Sequence, residues 1–140
     1  MRFMALMIPG PKVKEAGWQP DPKAIEEMMK YNEELSKAGI LLALDGLQSP
    51  EKGARVHFGA GKPTVTDGPF AEAREVVGGY WMWQVKSKEE AVEWAKRVPA
   101  EPGQVIEVRQ VFEMSDFSDE LRDAAGELSS PPPQQPVGDL

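Results

Sequence analysis

Eleven residues, Thr64-Val-Thr-Asp67-Gly-Pro-Phe70-Ala-Glu72-Ala-Arg74, gather three kinds of side chain that could do chemistry: carboxylates, a guanidinium and an aromatic ring. A carboxyl sheltered beside an aromatic ring is pushed up in pKa, which suits it to proton transfer near neutral pH. Asp67 is therefore the candidate catalytic acid or base, with Phe70 as its shelter. The same carboxylate could instead bond to loop amides and only shape the Asp-Gly-Pro turn, and the residues alone leave both readings open. Glu72 and Arg74 either assist there or are solvated loop charges. Glu107 and Arg109 are two residues apart, so a strand would put both on one face. They could hold a polar ligand, or pair with each other at a subunit interface. His57 is the only histidine and would need Asp67 or Glu107 within reach to serve as a base.

Several chemistries lack their residues. With no cysteine, disulfides, thiolate catalysis and cysteine metal sites are excluded. One histidine and scattered carboxylates give no metal-ligand spacing. Gly59-Ala-Gly61 falls in a hairpin rather than before a helix, so no phosphate loop is present, and no elbow motif supports a Ser-His-Asp triad. No cofactor is expected. The net charge of -7 argues against a nucleic-acid partner, which would need a basic face. The apolar run Phe3 to Ile8 is cut by Pro9-Gly10, far short of the roughly 18 residues a membrane span requires. A soluble, cytoplasmic protein is expected.

The elements that must position these groups follow from periodicity. The chain of 140 residues, 41% hydrophobic, is long enough for one domain with a sizeable core. Arg2 to Ile8 is apolar at nearly every position and reads as a strand covered on both faces. Pro9 to Pro20, with Trp18, is a connection. Asp21-Pro22 starts a helix that should bury Ile25, Met28, Met29, Leu35 and Ala38 and stop at Gly39. Ile40 to Leu44 is a second strand. Ala54 to Phe58 and Pro63 to Thr66 form a hairpin. Gly79 to Lys86 is the main inner strand, and Ser87-Lys-Glu-Glu90 a capping box for a helix burying Ala91, Val92, Trp94, Ala95 and Val98. Val105 to Phe112 is the last strand. Beyond residue 112 the chain turns acidic, with a short helix between Asp116 and Glu127, then proline-rich and flexible. The domain is placed at 1–112 and a tail at 113–140.

Strand, helix, strand, hairpin, strand, helix, strand is a split βαβ order. It predicts an α+β, ferredoxin-like antiparallel sheet with both helices on one face and an inserted hairpin. Trp81, Trp83 and Val85 would face the helices, and Tyr80, Met82 and Gln84 the other side. That second face is too apolar for water, so a second copy of the chain, sheet against sheet, is the economical cover. Ile106 and Val108 facing the helices would turn Glu107 and Arg109 towards the covered face.

At Val65-Thr-Asp-Gly-Pro-Phe-Ala-Glu the sequence resembles the YCII-related (YciI-like) family, in its DGPF-type branch. Glu33-Glu-Leu, Ala38-Gly-Ile-Leu-Leu, Gly46-Leu, Gly78-Gly-Tyr, Ala91-Val-Glu-Trp-Ala and Ile106-Glu-Val-Arg109 support it over about residues 1 to 112. The resemblance implies a homodimeric α/β barrel. It also implies enzyme activity in some members, where a His and an Asp share a cleft, and a link in others to sigma factors. That His would fall on the first helix, and residues 22 to 38 contain none, so the dyad is not carried over. The expectation is an unidentified small-molecule ligand at a dimer-associated pocket. Asp67 would perform isomerase, lyase or hydrolase-type acid/base chemistry, and Arg109, Glu107, Tyr80, Phe70, Arg74 and Glu72 would bind substrate. The alternatives are a non-catalytic ligand sensor serving a sigma factor and a purely structural role.

Overall fold

A computed structural model of the chain describes residues 1–10, 19–69 and 76–126. Trp18, the loop residues Phe70, Glu72 and Arg74, and the proline-rich tail lie outside them. Strands β1 (Arg2–Ile8), β2 (Leu41–Gly46), β5 (Gly79–Gln84) and β6 (Val105–Gln110) form an antiparallel sheet in the order β2-β5-β1-β6. Among the described residues, strands β3 (Ala54–His57) and β4 (Thr64–Asp67) pair with each other in a separate hairpin sheet. The helices are α1 (Pro22–Lys37), α2 (Lys88–Lys96) and a short α3 (Asp119–Ala125), with 3-10 turns at Pro50–Lys52 and Met114–Asp116. The class is α+β. Among the described residues, no helix is long and apolar enough to cross a membrane.

Local chemistry sets the helix starts. Asp21 accepts a hydrogen bond from the Lys23 amide at 3.0 Å, with Pro22 next in the first turn. Ser87 accepts from the Glu90 amide at 3.1 Å. The Glu90 carboxylate reaches one residue past the cap, accepting from the Lys86 amide at 2.8 Å, a variation on the reciprocal box.

Both helices pack on one face of the sheet. The core joins Phe3 and Ala5 of β1, Leu41 of β2, Trp81 and Trp83 of β5, Tyr31 and Leu35 of α1, and Ala91 of α2, with Ile106 and Val108 of β6 packed against it. The stripe of α1 differs from expectation. Ile25 and Met29 are exposed, at 50% and 52%, and Ala38 is exposed as well. The buried residues are Tyr31, Asn32 and Leu35. Two of these carry polar tips, and each tip is matched. The Tyr31 hydroxyl donates to the Trp94 carbonyl of α2 at 2.7 Å, and Asn32 accepts from the Trp81 indole at 2.8 Å. Burial pushes the Tyr31 phenol up in pKa. The neighbouring Trp83 indole N–H is buried with no partner among the described residues.

After β6 the chain is anchored back to β1. Arg2 donates to both carboxylate oxygens of Glu113, at 2.7 and 3.2 Å, a bidentate geometry. Phe112 stacks on Phe117, ring centroids 5.2 Å apart.

Two outcomes test this packing. Asn32→Ala strands the Trp81 N–H in the core and is expected to cost about 1–3 kcal/mol of unfolding free energy; urea denaturation showing no loss would remove this bond from the structure's supports. Hydrogen bonding to Arg2 holds the Glu113 carboxyl below its ordinary 4.5. A depressed carboxyl stabilises the fold above that value, and the contribution is lost as pH falls through the folded-state pKa. Glu113→Gln should therefore lower stability at neutral pH and flatten its acid-side decline, as read from melting temperature between pH 7 and pH 3.

Candidate functional site

Register brings together residues far apart in sequence. Glu107 of β6 lies opposite Leu6 of β1, Leu6 opposite Tyr80 of β5, and Tyr80 opposite Asp45 of β2. The next row on the same face runs Arg109, Met4, Met82, Ala43. Side chains alternate along a strand, and the intervening rows, with Ala5, Trp81 and Leu44, belong to the core side. These two rows therefore occupy the face turned away from α1 and α2. Met4, Leu6 and Tyr80 are half-buried there, Met82 is buried, and Asp45, Glu107 and Arg109 are exposed.

The one side-chain hydrogen bond between these rows' residues is short and well defined. The Tyr80 hydroxyl donates to Oδ2 of Asp45 at 2.6 Å. Ionising the phenol would break that bond and set two negative charges together, so the Tyr80 pKa is held above its ordinary value. Gly79 makes the approach of the two strands feasible. A Cβ there would sit 2.9 Å from the Asp45 carbonyl oxygen and 3.4 Å from the Gly46 Cα. A shallow, open cleft of about 250 Å³ lies past the end of the sheet, lined by Gln110, Val111, Phe112 and Asp116.

Asp67 ends β4 opposite Ala54, and its side chain is exposed, as are all eight hairpin strand residues. The turn that follows it is tightly packed. The Gly68 amide donates to the Gly53 carbonyl at 3.0 Å, and a Cβ on Gly68 would fall 1.8 Å from the Pro50 carbonyl oxygen. His57 pairs with Thr64 at the far end of the hairpin and is exposed.

The family model of the YCII-related domain matches residues 1–115 of the chain. The chain belongs to the YCII-related domain family. Among curated proteins no match was found.

In this YCII-related chain the structure gathers Tyr80, Glu107 and Arg109 on one face and leaves Asp67 and His57 on the separate hairpin. Among the described residues no hydrogen bond or ion pair joins the two groups. Phe70, Glu72 and Arg74 fall outside the described residues, so the sheltering of Asp67 by Phe70 stays an expectation. Asp45, the partner of Tyr80, was missed by sequence reasoning for a specific reason. Counting by twos from Leu41, which faces the core, would put Asp45 on the core side too. A register shift between Leu41 and Ala43 inserts one residue, and such a bulge moves everything after it to the other face.

Gly68→Ala should dislodge the turn from Pro50 and destabilise the hairpin by about 1–3 kcal/mol, the usual cost of overpacking. The expected readout is faster amide exchange across residues 50–57 and 64–68, with β1 and β5 unchanged. Unchanged exchange in the hairpin would show that the close approach does not hold it.

Proposed function

We propose that the protein is a homodimer of ferredoxin-like protomers of the DGPF branch, closed sheet to sheet into a dimeric α/β barrel. It binds a small organic molecule at the edge of the covered face, in the cytoplasm and without a cofactor. The observation that carries this reading is the composition of the sheet face without helices. Met4, Leu6 and Ile8 of the inner strand β1 lie there beside Tyr80, half-buried, with the charges of Glu107 and Arg109 at the margin. A face of this kind gains from a second copy that removes its apolar side chains from water.

In this reading Asp67 is the proton-transfer group of an isomerase, lyase or hydrolase-type reaction. Arg109, Glu107 and Tyr80 contact substrate from the sheet, and Phe70, Glu72 and Arg74 from the loop. The exposure of Asp67 in the single chain favours a second reading, a non-catalytic ligand sensor or accessory module working with a sigma factor. Sedimentation at micromolar concentration should give two chains per particle; a well-folded lone subunit would sink the dimer. Thermal-shift screening of small aromatic and carboxylic compounds should find a stabilising ligand. Asp67→Asn that keeps the dimer and the ligand shift but loses turnover supports the enzyme. The same variant with ligand response intact and no turnover in the parent supports the sensor.

A further inference from the structure

We infer that Asp45 with Tyr80 at one end and Arg109 at the other form a binding site for a small aromatic monocarboxylic acid that also carries a hydroxyl or amino donor. Met4 and Leu6, both half-buried, form the floor between them. This deepens the proposed function and rests on its reading of the helix-free face as a ligand-binding surface; it moves the ligand from the margin of that face into the space between the two sheets, where Met4 and Leu6 meet it in place of a partner side chain.

The polar end accepts hydrogen bonds. Oδ2 of Asp45 is engaged by the Tyr80 hydroxyl at 2.6 Å, which uses the only proton of the pair. Oδ1 and the lone pairs of the phenolic oxygen are left to accept, so a ligand must bring an O–H or N–H to this end. The bond also orients the pair in advance of binding, which reduces the ordering cost. The cationic end is defined by elimination along the face. Arg2 is committed to Glu113, whereas Arg109 forms no ion pair among the described residues, and a guanidinium suits a carboxylate.

Spacing fixes the size of the ligand. Arg109 and Tyr80 are separated by two strand spacings and by two residues along the strand, roughly 12 Å between backbone positions at standard sheet dimensions. Two long side chains reaching inward shorten that gap to the length of a one-ring acid. The floor suits a ring, because methionine sulfur and a tyrosine face both pack favourably against aromatics. Glu107 lies across Leu6 from Tyr80. With Asp45 it makes the surface repel a second carboxylate, which excludes dicarboxylic acids.

The test uses the full chain and 4-hydroxyphenylacetate as probe, titrated by calorimetry. Phenylacetate, which lacks the donor, and p-cresol, which lacks the carboxylate, are each expected to bind about tenfold more weakly, the loss of one charge-assisted hydrogen bond. Arg109→Gln should weaken the probe and phenylacetate about tenfold and leave p-cresol unchanged. Asp45→Ala should weaken the probe and p-cresol and leave phenylacetate unchanged. Both positions are exposed, and an unchanged circular dichroism spectrum confirms folding. Equal effects of each variant on all three compounds, or no binding of any at millimolar concentration, would overturn the site. Sedimentation on the same samples separates the two readings. A dimer without this discrimination overturns the site alone, and a monomer with it overturns the dimer alone.

Discussion

The two tryptophans of β5 are the constraint on which the rest depends. β5 lies between β1 and β2, and Trp81 and Trp83 project from it into the core where α1, α2 and the sheet meet. Trp81 meets the edge of Tyr31, ring planes at 90° and centroids 6.2 Å apart, and donates to Asn32. Once that row is committed to the helices, period-two alternation leaves no choice for Tyr80 and Met82. Core and candidate site are therefore one decision taken twice, on opposite faces of the same strand.

Much of this could be read in advance where a single physical rule governs. The unbroken apolar run of β1, the Asp21-Pro22 and Ser87 helix starts, and the in-out order of β5 and β6 each follow from local pattern. The reading failed where a partner had to be known. Asn32 looks like a surface residue until an indole N–H is placed beside it. Ile25 and Met29 look like core until Tyr31 and Asn32 take the contact. Asp45 could not be assigned to a face because one bulged residue inverts the count, and a bulge has no mark in Leu41-Leu-Ala-Leu-Asp45.

The Asp-Gly-Pro motif shows how structural and chemical readings of one stretch can coexist. Gly68 has a demonstrable reason to be glycine, its backbone lying against the Pro50 carbonyl. That reason concerns the architecture of the turn and is independent of what the Asp67 carboxylate does. On the sheet, the Tyr80 hydroxyl and the Asp45 carboxylate are joined directly, on the same face as Arg109.

The strands β3 and β4 pair with each other in their own two-stranded sheet, and every residue in them is exposed. Exposed side chains on such a ribbon touch little of the tryptophan core, so polar substitutions among them carry little penalty to folding. Its outward positions can therefore take on new polar contacts in this chain while the scaffold beneath stays the same. The protein thereby separates the part that must be kept from the part that is free to specialise.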